Sequence, residues 1–332
     1  SCTYTGVILD ADGFGFWSWV AKRAFKATFT RPKDGEFVGA LRETLVERDI
    51  AVYIHVPFCR SFCRYCPYTK TLWDAKLAER YVGALISEVE AYGRALGDLG
   101  VRIVDVHVGG GTPSLLEPRH YRAIAEALRS SFDVERDALA IEANPNDLVD
   151  EGKLYGYLDA GVSEFSVGVQ SFDARTLRKL GRSHSVEDSL EALDALRDAG
   201  VEYVNIDLMY MVPGQRVEEW VSDLAIASEL DVDEVTCYPT IITPQCPGYR
   251  AVKEGKERQP SKREFKRMIA ATYEVLEPAG FASVEIYGFS RKEGWKYATV
   301  NYEMEGPLLA SGSGATGFTG GYEYANTHSV EE

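Results

Sequence analysis

The sequence predicts a parallel α/β fold, a partial (βα)6 TIM-like barrel with an extension at each end. Three observations predict it. Strands of β-branched and aromatic residues alternate with amphipathic helices, about six such units precede residue 240, and polar or glycine-rich clusters recur just after the strands. At 332 residues and 45% hydrophobic, the chain can bury a full-sized core. The expected division is an N-terminal extension over 1–48, the barrel over 49–240 and a C-terminal extension over 241–332.

Residues 1–50 carry no catalytic motif. The aromatic run Phe14–Trp19, followed by Lys22, Arg23 and Lys26, reads as a packed extension, because aromatic clusters are more often core than binding surface. Phe37–Val46 has helical spacing, and Ile50–Val56 reads as a buried strand. Leu77–Leu99 is apolar at helical intervals and stops at Gly100, a glycine C-cap. The strand Val101–Val108 runs into Gly109-Gly-Gly-Thr-Pro113. Helices follow at Pro118–Ser131, Leu148–Ala160, 186–199, 217–229 and 261–277. Strands are expected at Ala138–Ala143, Glu164–Val169, Tyr203–Leu208, Glu234–Tyr238 and Ser283–Tyr287. Residues 240–265 look like a long loop. Between Gly306 and Gly321 there are six glycines. A flexible linker is one reading; the flanking Tyr297, Tyr302, Tyr322 and Tyr324 favour an ordered loop that approaches other backbone closely.

The chemistry centres on Cys59-x3-Cys63-x2-Cys66, placed where the Ile50–Val56 strand ends. Three thiolates on one short loop can hold three corners of an iron–sulfur cluster normally tied by four, leaving one iron open. Zinc usually wants a fourth ligand nearby and paired C-x2-C motifs. Disulfides are unexpected without a secretory segment. Cys2, Cys237 and Cys246 read as incidental thiols. Glu142, Arg182 and Asp207 fall at or after strand ends, where parallel barrels gather function. A guanidinium fork pairs a carboxylate and a carboxylate pairs an ammonium, as a zwitterionic ligand requires; a structural Arg–Asp pair is the competing reading. His55 and His184 are acid/base candidates that more often prove to be satisfied structural groups.

The cysteine motif with Tyr65, preceded by Tyr53-Ile-His-Val-Pro-Phe-Cys59, resembles the signature of radical S-adenosylmethionine (radical SAM) enzymes in its oxygen-independent coproporphyrinogen III oxidase form. The resemblance covers about Tyr53 to Gly321 and includes the Gly109-Gly-Gly-Thr-Pro113 element. It implies a radical-SAM partial barrel, a 4Fe-4S cluster on Cys59, Cys63 and Cys66, and S-adenosyl-L-methionine on the open iron. Tyr53, Gly110 and Glu142 are implied as contacts of that cofactor. Tyr65, Gly111, Thr112, Gln170, Arg182 and Asp207 are implied as holding a second S-adenosyl-L-methionine. Two departures stand out: Pro67 follows the third cysteine and Met211 follows the fifth strand, both where the family commonly has glycine. A helical domain that follows in that family is expected to be absent or to lie beyond Glu332.

The expected function is radical C-methylation or cyclopropanation of an sp2 carbon in a small, natural-product-like substrate. The alternatives are tetrapyrrole chemistry (coproporphyrinogen decarboxylation, or haem methylation and opening) and a haem-binding chaperone. An electron donor such as flavodoxin or ferredoxin is implied. The net charge of −15 argues against nucleic-acid and anionic-membrane partners. No apolar stretch approaches the roughly 20 residues that span a bilayer, and a reducing cytoplasm is the expected location.

Overall fold

The computed structural model describes residue 33 and residues 35–135, 138–292, 306–319 and 321–331. The aromatic run Phe14–Trp19, Cys2, Tyr297 and Tyr302 lie outside the described residues.

Six parallel strands neighbour one another in chain order: β1 (Asp49–Val56), β4 (Arg102–Gly110), β6 (Leu139–Ala143), β7 (Val162–Gln170), β8 (Tyr203–Tyr210) and β9 (Glu234–Pro239); of the short strands between them, β2 (Phe58–Cys59) pairs with β3 (Thr71–Leu72) and β5 (Asp133–Val134) with β4. A helix or helices follow each of the first five, as right-handed parallel crossovers need. Among the described residues the sheet does not close into a barrel. On the β1 side it gains β12 (Leu308–Ser311), parallel to β1, and then the antiparallel β13 (Thr316–Phe318) and β14 (Glu323–Ala325). Beyond β9 it gains the antiparallel hairpin of β10 (Ala282–Ser283) and β11 (Gly288–Ser290).

That hairpin corrects one expectation. Ser283–Tyr287 is not a strand; residues 284–287 are its turn, closed by the Val284 N–H on the Gly288 carbonyl at 3.0 Å. The apolar alternation there marks a turn between two short pairings. The described part of the glycine-rich segment, 306–319, is ordered, as Tyr322 and Tyr324 suggest. It supplies β12, and its turn uses Gly312 and Gly314 at φ of 93° and 81°. A Cβ on Gly312 would lie 2.6 Å from the His55 carbonyl oxygen, and one on Gly314 would strike the Thr69 side chain. The segment is therefore packed beneath the end of β1. A four-residue strand set between Gly306 and Gly312 is too short to show alternation in the sequence.

Period-2 alternation divides the faces. Ile206, Leu208 and Tyr210 of β8 join the apolar core, where Tyr210 stacks on Trp220 at 5.1 Å, and Trp220 donates to the Met268 carbonyl and Thr272. Their alternates Asn205 and Asp207 face a polar interior shared with Ser166 and Thr236. The long helix Ala75–Leu96 starts at an Asp74 N-cap and ends through a 3-10 turn at Gly100, φ 68°. A Cβ on Gly100 meets no atom within 4 Å, so only its backbone conformation demands glycine. Gly100→Ala is expected to lower stability by about 1 kcal/mol, read as a shifted denaturant midpoint at unchanged slope.

Candidate functional site

The cysteine loop leaves β1 and is held from several sides. Its first residues form a two-stranded parallel pairing, Phe58–Cys59 with Thr71–Leu72. The Trp73 N–H donates to the Cys59 carbonyl at 2.9 Å, and Lys70 Nζ donates to the Cys66 carbonyl at 2.6 Å. Across the loop, the Arg64 N–H reaches the Leu180 carbonyl at 3.0 Å, and the Gly248 N–H reaches the Arg64 carbonyl at 2.8 Å. Cys246 is also engaged here, its thiol donating to the Tyr65 carbonyl at 2.9 Å, while Cys237 is buried in the core. Cys59 is buried and Cys63 and Cys66 half-buried, all as free thiols. Burial pushes the Cys59 thiol up to about 11 against a hydrogen bond from Thr112, and burial likewise raises Cys66 despite nearby Lys70. Loading metal on this loop therefore displaces protons. Among the described residues no three His, Cys, Asp or Glu side chains converge on one ion. A mononuclear zinc site needs such convergence; thiolates that each take a separate iron do not. The three thiols of this loop fit a cluster with one open iron.

The glycines after β4 are fixed by packing. The Gly111 N–H donates to the Val56 carbonyl at 2.8 Å, and a Cβ on Gly111 would lie 2.7 Å from both the Phe58 carbonyl oxygen and the Pro57 carbonyl carbon. Gly110 has φ 115°, and its Cβ would lie 2.5 Å from the His55 ring. Its N–H donates to Glu142 Oε2 at 3.0 Å. The other oxygen, Oε1, accepts from His107 Nε2 at 3.3 Å. Burial works to raise the Glu142 carboxyl, but the His107 bond and charge, with the Gly110 N–H, hold it below the usual range. About 35% of the Glu142 side chain remains exposed. Tyr53 stacks on the His107 ring at 5.9 Å. His55 Nε2 donates to the Thr69 carbonyl at 3.0 Å, which leaves Nδ1 to accept from the Tyr53 hydroxyl at 3.0 Å. Burial lowers the His55 pKa, so the ring is neutral and braces β1 against the cluster loop.

A second group faces the cysteines from β7 and β8. Gly168 has no side chain because Gln170 Nε2 and Arg182 Nη2 lie over it, 2.9 and 3.2 Å from where a Cβ would be. Arg182 Nη1 donates to Cys63 Sγ at 3.4 Å; Nη2 donates to the Gly168 carbonyl at 3.0 Å and to Asn144. Asp207 accepts from Asn205 Nδ2 at 3.1 Å and Ser166 Oγ at 3.3 Å. Burial and the Glu142 charge push its carboxyl up to about 7. Arg182 and Asp207 both act on the Tyr65 hydroxyl, whose pKa is raised chiefly by burial. Among the described residues Arg182 and Asp207 form no direct ion pair, so the bracing Arg–Asp contact weighed from sequence is not what holds them.

Residues 53–225 match the Radical SAM superfamily. The chain belongs to that superfamily. A haem chaperone HemW from Lactococcus lactis is 28% identical over 85% of this chain and 73% of its own length. An anaerobilin synthase from Escherichia coli O157:H7 is 28% identical over 88% of this chain and 66% of its own. The solved coproporphyrinogen III oxidase (HemN) from Escherichia coli superposes with a TM-score of 0.77 at 24% identity, over 90% of this chain and 71% of that one. The radical SAM chain thus sits in the coproporphyrinogen-oxidase-like branch, whose cofactors are a 4Fe-4S cluster and S-adenosylmethionine.

Several residues of this radical SAM site escaped sequence reading. His107 is one; its register partner on β1 is Tyr53, so the strand alignment places it inward, but nothing marks it in the sequence. Asn144, directly after β6, is another, and it accepts from Arg182. Tyr68 and Tyr287 lie outside the motifs, and Tyr238 and Tyr287 pair at 5.6 Å at the mouth. His184, a candidate acid or base, instead donates from Nε2 to the Val169 carbonyl at 3.0 Å, and burial with the Arg182 charge pushes it down to about 4.

Gly111→Ala is expected to abolish most iron uptake on reconstitution, because the colliding atoms are backbone and cannot rotate away; iron and sulfide assays check it. Asp207, surrounded by Glu142, His107, Tyr65, Cys237 and Tyr238, should bind a cationic group only when ionised. The affinity of a ligand that places a cation on Asp207 should rise about tenfold from pH 6 to 8, following the ionised fraction. Calorimetry should find that slope flattened in Asp207→Asn.

Proposed function

We propose that the chain is a radical SAM enzyme acting on a tetrapyrrole. The observation that carries the reading is the agreement of the relatives. A haem chaperone, an anaerobilin synthase and a coproporphyrinogen III oxidase share most of this chain, and a tetrapyrrole is common to their names. The Tyr238 and Tyr287 rings, 5.6 Å apart, offer aromatic faces of the kind that stack on a flat conjugated ring. C-methylation or cyclopropanation of a natural-product-like substrate, expected from the sequence, gains no support from these relatives.

When bound, the cluster and S-adenosylmethionine supply a 5′-deoxyadenosyl radical for hydrogen abstraction. This chain's residues do the holding. Cys59, Cys63 and Cys66 bind the cluster. Glu142, fixed by Gly110 and His107, keeps a partly exposed carboxylate for a ribose diol or an ammonium, and neutral His55 with Tyr53 fixes the strand end beside it. Thr112 donates to the Cys59 sulfur. One observation favours a second S-adenosylmethionine: Arg182 and Asp207, a cation and a carboxylate, both act on the Tyr65 hydroxyl, and Gln170 lies beside Arg182 over Gly168. Electrons would come from a flavodoxin or ferredoxin.

The test is anaerobic reconstitution and dithionite reduction with methyl-deuterated S-adenosylmethionine, adding coproporphyrinogen III or haem and following nucleosides and tetrapyrroles by mass spectrometry. Deoxyadenosine formed in step with a tetrapyrrole of changed mass is the expected result. Deuterium in the deoxyadenosine would place the second cofactor's methyl group under attack. A shifted haem Soret band without turnover would move the reading to a chaperone. Neither turnover nor a Soret shift would overturn it.

A further inference from the structure

The guanidinium of Arg182 has no acidic partner within ion-pair distance among the described residues. It is half-buried, between the cluster loop and the ends of β6 and β7. A buried cation left without a counter-charge is costly. The group beside it that becomes anionic on binding iron is Cys63, whose sulfur lies 3.4 Å from Arg182 Nη1, while the buried Tyr65 phenol stays neutral. Its position is also fixed from both sides. Nη2 is committed to the Gly168 carbonyl and Asn144 and Nη1 reaches the Cys63 sulfur, while the guanidinium also bonds the Tyr65 hydroxyl. The preceding Gly181 caps the helix Ala174–Leu180 in the left-handed conformation, φ 77°, and a Cβ there would press on the Arg64 side chain at 3.3 Å. The Arg64 N–H to Leu180 bond ties that helix end to the cysteine loop. The residue and its target sulfur therefore belong to one hydrogen-bonded unit.

We propose that Arg182 is a positioning residue for the cluster: its Nη1–H donates to the Cys63 thiolate, balances its charge and raises the cluster's affinity for an electron. Hydrogen bonds to ligand sulfurs are a main determinant of iron–sulfur potentials, and a nearby cation favours the reduced, more negative cluster by simple attraction. The inference rests on the radical SAM reading of the cysteine loop and goes beyond the carboxylate-clamp role that the resemblance implies for Arg182. The two roles differ in what they predict for the cluster with no S-adenosylmethionine present, where a clamp has nothing to hold.

The test is a redox titration of the anaerobically reconstituted chain without S-adenosylmethionine, followed by the paramagnetic signal of the reduced cluster, for the wild type, Arg182→Gln and Arg182→Lys. Arg182→Gln should make reduction harder by about tenfold in the equilibrium constant, equivalent to about 59 mV for one electron. Arg182→Lys, which keeps charge but loses the fork, should fall between. If Arg182→Gln loads no cluster, Arg182→Lys decides: a shift in the same direction supports the role. Midpoints equal to wild type at equal iron and sulfide content would overturn it. A wild-type chain that holds no reducible cluster would overturn this inference together with the reading of the site, whereas an Arg182-independent midpoint would overturn this inference alone.

Discussion

The ends of β1 and β4 are pressed together with no room for a side chain between them, and the rest of the site depends on that contact. Gly111 touches the Pro57–Phe58 backbone directly, Gly110 turns past the His55 ring, and from the far side of β1 the Gly312 turn closes on the His55 carbonyl. Tyr81 spans the same point, donating to the His55 carbonyl at 2.7 Å while its oxygen accepts from the Ser313 N–H at 2.7 Å. Two glycine turns some two hundred residues apart in the chain thus fix where the strand stops and in which direction the cysteine loop departs. The thiols are consequently presented toward β7 and β8 and not toward solvent alone.

Opposite that fixed loop, the chain tolerates strain. Gln170 and Met211 are the non-glycine residues with left-handed backbone among those described, φ 68° and 62°, at the ends of β7 and β8. Each costs on the order of 1 kcal/mol relative to glycine. Gln170 thereby lies over Gly168 beside Arg182. Met211 follows the strand that carries Asp207, and its φ explains physically why glycine is common there in the resembled family. Strained residues concentrated at one mouth agree with a rigid scaffold that spends stability on its binding face.

Much of the fold was legible because burial leaves a period. Ile50–Val56, Pro118–Ser131 and residues 186–199 announce themselves through apolar spacing, caps and β-branched runs, and the structure places elements there within a residue or two. The cysteine loop was legible because its chemistry needs those residues at that spacing. Other features were not readable. The helix Ala174–Leu180 is too short to show periodicity, the Leu308–Ser311 strand is hidden among glycines, and the 284–287 turn carries strand-like residues. The engagement of Glu142 with His107 and Gly110, and of Arg182 with Cys63, arises from tertiary approach across 35, 32 and 119 residues of chain, which no local pattern encodes.

The central claim is that three cysteines of this chain hold a cluster whose remaining iron is open to the amino-acid end of S-adenosylmethionine. Electron–nuclear double resonance on the reduced, reconstituted protein, with S-adenosylmethionine carrying nitrogen-15 in its amino group, tests it most directly. A nitrogen-15 coupling large enough to require direct ligation to iron, present with wild-type protein and lost with Cys63→Ala, is the predicted result. A reduced 4Fe-4S cluster with no such coupling, closed by a fourth ligand from the protein, would contradict it.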